Sequence, residues 1–394
     1  MNNKTFFKLL RNATVFAPEN IGVQDILIAG QTIVAIGTNL SALTDYNCEI
    51  VDLTGYTVMP GLIDSHVHLI GGGGEGGFAT RTPEIRLSDI TTSAVTTVIG
   101  CLGTDGTTRH VESLLAKARA LDIEGISSYI YTGAYEVPTP TITGSIRKDI
   151  INIDKIIGTG EIAMSDHRSS QPSIGEYRKI IAETRLGGML SAKAGIVDMH
   201  IGDGARGLDP LFAITATSEL PKTQILPTHV NRNKNLFSQS IEWAKQGGYM
   251  DITSGISPAT GCDHGVKPST AAKQALAAGV PLSQITMSSD SNGSMPLFDD
   301  VGNTIGVAVA HQTTLLEEIR DMIKVEGIPC EQAIQLVTSN VAKVFKLWPQ
   351  KGCIAVDADA DIIALDKDLT LCHLWANGCH MIKDSQAIVT GTFE

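Results

Sequence analysis

No window of this 394-residue chain comes near the roughly 18 unbroken apolar residues of a membrane span, although 43% of its residues are hydrophobic. No membrane partner is expected. The apolar positions between Met1 and Leu10 (Phe6, Phe7, Leu9, Leu10) are too broken for a secretion signal, so a cytoplasmic location is expected. Basic residues are also short. Thirty Lys and Arg against 42 Asp and Glu leave a formal net charge of -12, and no local basic patch offsets it, which argues against a nucleic-acid or anionic-membrane partner. The seven cysteines are odd in number and lack Cys-x-x-Cys spacing, which argues for reduced structural thiols rather than a disulfide frame or a structural zinc site. The glycine run Gly71 to Gly77 is not followed by Gly-Lys-Ser or Gly-Lys-Thr and is therefore no phosphate cradle. Its glycines are expected to let the backbone approach a substrate, the structural alternative being a flexible loop.

What the chain does have is strand signal at both ends and alternating strand and helix signal between them. Runs at 8–17, 25–36 (with a turn at Gly30-Gln31) and 49–59, then 360–365, 369–376 and 380–390, predict one small β domain built from both termini. The boundaries read as 1–59 with 346–394 for a small β-sandwich, and 60–345 for the rest. Within 60–345, strands are expected at 94–102, 129–135, 162–165, 196–201, 225–229, 249–253 and 285–288, with helices such as 111–124 and 145–157 between them. Such alternation predicts an α/β fold with parallel strands, here a (β/α)8 TIM-like barrel whose active site lies at the C-terminal ends of its strands.

Polar residues collect at those ends. His66 and His68 leave the first barrel strand two residues apart, so both imidazoles face one way while Val67 packs the other. Neutral imidazole is the commonest protein ligand for zinc-like metals. Thr104 follows the second strand, Tyr135 the third, Asp166-His167-Arg168 the fourth, His200 the fifth, His229 the sixth and Asp290 the last.

Together, Pro60 to His68, Met199-His200, Thr228-His229 and Ser289-Asp290 resemble the metal set of the amidohydrolase superfamily. Finer strings, Gly71 to Glu75, Thr132 to Tyr135, Ser165 to Arg168, Pro227 to Arg232 and Ser289 to Ser294, resemble its branch that cleaves β-aspartyl dipeptides. The resemblance implies a hydrolase using two divalent metal ions, expected to be zinc, and a metal-bridging hydroxide. It implies that His66, His68 and Asp290 hold the more buried metal and His200 and His229 the more exposed one, with Asp290 also acting as base. It further implies that Arg168 and Arg232 bind substrate carboxylate, Glu75 the α-ammonium, Thr104 and Ser294 the aspartyl part, and that Tyr135 donates to the scissile carbonyl. Assembly as a homo-oligomer belongs to the same implication.

One position departs from the family. Where it places a lysine that is carbamylated into a metal bridge, five residues before the Asp-His-Arg triplet, this chain has Glu161. Lys155 is the nearest upstream lysine but falls in the expected helix 145–157, so Glu161 is expected to bridge directly. Each reading has a structural alternative. Asp290 can cap the turn before Asn292-Gly293, Glu161 can be a loop carboxylate, the arginines can be surface ion pairs and Tyr135 rim packing. Cys262-Asp263-His264 reads as a surface loop, His167 as either a site-orienting or a barrel histidine, and His110, His311, His373 and His380 as structural. The competing functions are a dihydropyrimidinase-like enzyme acting on cyclic amides or imides, and a non-catalytic barrel scaffold.

Overall fold

The computed structural model describes residues 6–41, 46–260, 262, 264–298 and 304–394. Both chain ends enter one nine-stranded sheet. Strands β1 (Phe7–Phe16), β2 (Asn20–Ala29) and β3 (Thr32–Gly37) form an antiparallel meander, while β4 (Cys48–Asp52) and β5 (Thr57–Pro60) run parallel to β1. Four strands from the far end of the chain extend the sheet from β5. They share with the first five a core that includes Leu10, Ile26, Ile28, Val58, Ile362 and Trp375.

The chain then alternates strand and helix eight times. The strands are β6 (Leu62–Val67), β7 (Val95–Gly100), β8 (Ser127–Thr132), β9 (Ile156–Met164), β10 (Ile196–Ile201), β11 (Ile225–Thr228), β12 (Met250–Thr253) and β13 (Ile285–Ser288). They are followed in turn by helices α1 (Leu87–Thr91), α2 (Val111–Glu124), α3 (Ile146–Asn152), α4 (Ile174–Leu190), α5 (Asp209–Ala216), α6 (Lys234–Lys245), α7 (Pro268–Ala277) and α8 (Thr314–Lys324). Strands β6 to β11 form one parallel sheet in chain order, and β12 pairs in parallel with β13. Because β12 lies against β11 and β13 against β6, the sheet curls into a TIM-like barrel. Every residue of these eight strands except Ser127 and Tyr129 is buried, as expected when helices cover a parallel sheet.

Between β13 and α8 a hairpin, β14 (Ser294–Phe298) and β15 (Thr304–Val309), rises beside the barrel mouth. After α8 the chain returns to the terminal sheet through β16 (Ile362–Leu365), antiparallel to β5, and β17 (Leu371–Ala376), β18 (Cys379–Lys383) and β19 (Gln386–Ala387) complete it.

Local chemistry explains several element ends. Ser173 and Glu176 close a capping box on α4, and the Ser145 side chain accepts from the Lys148 amide at the start of α3. The turns Gly30-Gln31 and Asn377-Gly378 each join two antiparallel strands, and Asn377 and Gly378 both take positive φ, as a two-residue hairpin requires. Two expectations need correction. Helix α3 stops at Asn152 rather than reaching 157, and β9 begins at Ile156, six residues before the expected start. Gly158 and Gly160 weaken the strand signal there. A Cβ at either would press on Ile196 or Asp198 of β10, so glycine there permits close strand approach. No helix among the described residues is long and apolar enough to cross a membrane. Met1 to Thr5 lie outside the described residues.

Candidate metal centre

Strand β6 delivers His66 and His68 to the C-terminal mouth of the barrel, His68 one residue beyond the last paired position. His200 comes from β10, while His229 and Asp290 stand just past β11 and β13 with φ of 62° and 57°. Non-glycine residues held in that region carry backbone strain, and such strain concentrates at functional sites. Glu161 lies within β9 and is 1% exposed.

These six residues converge on one point. Glu161 Oε1 is 2.6 Å from His200 Nδ1, 3.1 Å from His229 Nε2 and 3.5 Å from His66 Nε2. Asp290 Oδ1 is 3.0 Å from His68 Nε2 and 3.7 Å from His66 Nε2. Three overlapping groups could each hold a metal ion: His66, His68, Cys101 and Glu161; His66, His229 and Asp290; and Glu161, His200 and His229.

The donor set fits metal on two further grounds. Glu161 Oε2 and His66 Nε2 are fully buried and have no hydrogen-bond partner, an arrangement that is costly unless a cation satisfies them. Burial opposes charge on Glu161, yet His66 and His200 hold its carboxyl well below the usual range. Burial likewise opposes charge on His66 and His68, but the Cys101 sulfur and facing carboxylates raise both above the usual imidazole range. The centre therefore attracts positive charge. His229 is the exception, pushed down to about 3 by burial, and so presents a neutral ligand nitrogen.

A supporting shell orients the imidazoles. Asp198 Oδ2 stands 2.9 Å from His66 Nδ1, Thr253 Oγ1 2.8 Å from His229 Nδ1, and Asp166 Oδ2 2.9 Å from His200 Nε2. Asp166 also accepts from Arg168 Nε at 3.0 Å and Nη2 at 2.8 Å, a two-point grip on the guanidinium. Neither Asp198 nor Thr253 is among the residues expected from sequence. Asp198 did leave a signal, since it lies two residues before His200 and so on the same strand face.

Above the centre opens a cavity of about 1060 Å³. The expected substrate-contacting residues gather on its walls. Glu75 accepts from Thr104 Oγ1 at 2.7 Å, Arg168 Nη1 at 3.3 Å and Ser294 Oγ at 3.3 Å. Burial works against the charge of Glu75, but those partners lower its carboxyl below the usual value. The Tyr135 hydroxyl is 2.8 Å from His200 Nδ1, and burial and the nearby Glu161 raise it well above the usual phenol range. Arg232 lines the same cavity, its Nε buried without a hydrogen-bond partner.

Cys262, half-buried, and His264, exposed, border the same cavity, and Asp263 lies outside the described residues. The His167 side chain is 81% exposed and does not enter the centre. Lys155 pairs with Asp122 and donates to the Ser128 carbonyl near the starts of β8 and β9, at the opposite end of the strands from Glu161.

Two amidohydrolase family models match the chain, one over residues 224–393 and one over 49–117. A solved β-aspartyl dipeptidase from the thermophilic, keratin-degrading Fervidobacterium islandicum AW-1, in complex with β-Asp-Leu dipeptide, is 44% identical. It matches with a TM-score of 0.89 over 97% of this chain and 98% of that one. A second structure of β-aspartyl dipeptidase from that organism is 42% identical over the same shares, with a TM-score of 0.88. A D-hydantoinase from Geobacillus stearothermophilus is 26% identical over 91% of this chain and 84% of its own length. A dihydroorotase from Streptococcus pyogenes serotype M3 is 26% identical over 64% of this chain, and the match spans only 60% of the dihydroorotase. The chain therefore belongs to the amidohydrolase family, a class of barrel hydrolases. Within that family it falls in the β-aspartyl dipeptidase branch.

Proposed function

We propose that the protein hydrolyses β-aspartyl dipeptides, whose peptide bond runs through the aspartate side chain. One observation carries this reading: Glu75 is held by Thr104, Arg168 and Ser294 on the wall of the cavity above the cluster of histidines and carboxylates. A dipeptide with a free α-ammonium needs such a carboxylate. A dihydropyrimidine ring carries no ammonium, so the cavity favours the dipeptide over a cyclic amide. The Fervidobacterium islandicum enzyme solved with β-Asp-Leu supports the same substrate class.

His66, His68 and Asp290 would hold a more buried cation and His200 and His229 an outer one, with Glu161 available as a ligand to both and zinc as the expected ion. Two adjacent dications repel, and an intervening glutamate limits that repulsion without the modification a lysine would need. When bound, such a pair polarises an amide carbonyl and lowers the pKa of bound water from 15.7 towards about 7.

The remaining steps fall to side chains. Tyr135, kept protonated by burial, donates to the scissile carbonyl oxygen as negative charge develops there. Asp290 Oδ1 takes a proton from the attacking water and returns it to the leaving nitrogen. Arg168 and Arg232 offer planar forks to the substrate carboxylates, which suits arginine better than lysine. Thr104 and Ser294 hydrogen-bond the aspartyl part, while the Glu75 contact with Arg168 is one a zwitterion can divide, ammonium to the glutamate and carboxylate to the arginine. Residues 1–59 and 346–394 are read as one small β-sandwich domain and 60–345 as the catalytic barrel.

The test is initial-rate comparison on β-Asp-Leu, α-Asp-Leu and dihydrouracil. Turnover confined to the β-linked dipeptide is the expected result. Preferential opening of the dihydrouracil ring would overturn the reading.

A further inference from the structure

The run Gly71 to Gly77 carries Glu75 to the cavity, yet it offers almost no side chain by which the fold can hold it. Gly71 and Gly73 take φ of +82° and +71°, and a Cβ at Gly73 would press on the Thr80 carbonyl and the Ser294 side chain. Glycine is required there, and the grip must come from elsewhere.

The Thr82 hydroxyl and the Asn292 carbonyl hold the Gly72 amide, and the carbonyl side is gripped by Arg109, which lies near the end of the connection between β7 and α2 and is 6% exposed. Its Nη2 donates to the carbonyls of Gly72 at 2.8 Å and Thr82 at 3.3 Å, its Nη1 to Gly73 at 3.3 Å and its Nε to Ile70 at 3.3 Å. Asp105 stands 3.5 Å from Arg109 Nη1 and also accepts from Arg81 Nη1 at 2.5 Å. Arg81 in turn forms an antiparallel bridge with Gly73. Thr104, next to Asp105, donates to Glu75 itself. One connection therefore touches Glu75 directly and grips both flanks of its loop.

We propose that Arg109 is a positioning residue for recognition of the substrate α-ammonium. By binding four backbone carbonyls at once, it holds the glycine loop so that the Glu75 carboxylate stays between Thr104, Arg168 and Ser294. Only a planar guanidinium with five donors spans those carbonyls, and a lysine ammonium offers three donors from a single point. The proposal rests on the dipeptide reading for its substrate, but the state of the loop is measurable without one.

The experiment uses the full-length, metal-loaded protein and its Arg109→Met, Arg109→Lys and Asp105→Asn variants. Steady-state kinetics on β-Asp-Leu are combined with inhibition by N-succinyl-leucine, which keeps the skeleton and lacks the ammonium, and with amide hydrogen exchange across 70–77. In Arg109→Met, KM is expected to rise about tenfold or more while kcat stays within about threefold, the pattern of lost ground-state binding. Inhibition by N-succinyl-leucine is expected to hold within about twofold, exchange across 70–77 to quicken, and Arg109→Lys to recover part of the loss. Asp105→Asn shifts KM and exchange the same way by less and keeps the question open to measurement should Arg109→Met not fold.

Loss of kcat and metal at unchanged KM would overturn the proposal, as would equal weakening of β-Asp-Leu and N-succinyl-leucine. Unchanged exchange across 70–77 in the folded variants would overturn it even if the wild type failed to cleave β-Asp-Leu. That failure alone would strike only the dipeptide reading.

Discussion

Asp198 Oδ2 lies 2.9 Å from Nδ1 of His66, and both side chains are 1% exposed. A carboxylate at that nitrogen fixes the ring orientation and turns Nε2 towards Glu161 and Asp290. Burial raises the Asp198 carboxyl above its usual value, and the neighbouring His66 opposes that shift. Asp198→Ala is expected to weaken metal affinity about 10–100-fold, as loss of such outer-shell partners does elsewhere. Titration of the metal-free protein with zinc against a competing chelator measures this, and affinity equal to wild type would contradict the role.

Glu161 brings three histidines within 3.5 Å of one carboxylate oxygen. Its carboxylate needs no carbon dioxide to form. Reconstitution of the metal-free protein is therefore expected to proceed equally with and without added bicarbonate, and Glu161→Ala is expected to lose metal. Two tightly bound metals in that variant, or a bicarbonate requirement in the wild type, would refute the bridging assignment.

Lys351 is 4% exposed and places its ammonium 2.7 Å from Asp359 and 2.6 Å from Asp361. Asp361 also accepts from the Asn377 amide, and its carbonyl accepts from Gly61 at the entry to β6, so this knot ties the terminal sheet to the barrel. Lys351→Met strands two carboxylates and is expected to cost about 3–5 kcal/mol of stability, the usual range when one partner of a buried ion pair is removed. Urea unfolding checks the value, and a change below about 1 kcal/mol would show that the pair is well solvated.

His380 stacks on Trp375 at a centroid distance of 4.4 Å and lies 3.3 Å from His373. Burial depresses the His380 imidazole to about 4, the nearby Glu49 opposing this and His373 adding to it, and burial also lowers His373. The folded pKa lies below the unfolded value of about 6.5, so between those limits the unfolded chain binds the extra proton. Stability from this pair is present above about pH 6.5 and falls as pH drops towards 4, by a few kcal/mol as an order of magnitude. His380→Phe is expected to flatten the thermal-stability profile between pH 6.5 and 4, and an unchanged slope would contradict the burial argument.

Much of the centre was legible because strand geometry has period 2. His66 and His68 face together across Val67, and His200, His229 and Asp290 sit at or just after a strand end, where hydrophobic runs stop at a polar residue, whereas Glu161 lies inside β9. The alternation of elements also sufficed for the barrel. Arg109 was not legible, because its partners are backbone carbonyls of a distant glycine loop and leave no side-chain pattern. The early start of β9 was hidden by Gly158 and Gly160, which weaken a strand signal while allowing β10 to approach. Asp198 shares a face with His200, but in a buried strand its orienting role depends on where His66 stands, and that is a matter of barrel closure.

The account depends above all on two cations held by His66, His68, His200, His229, Glu161 and Asp290. Elemental analysis of the purified protein, repeated after chelation and zinc titration, addresses this directly. Two equivalents bound per chain, with β-Asp-Leu hydrolysis returning in step with them, is the predicted result. Full hydrolysis by protein carrying no metal, or by a variant lacking both His200 and His229, would contradict it.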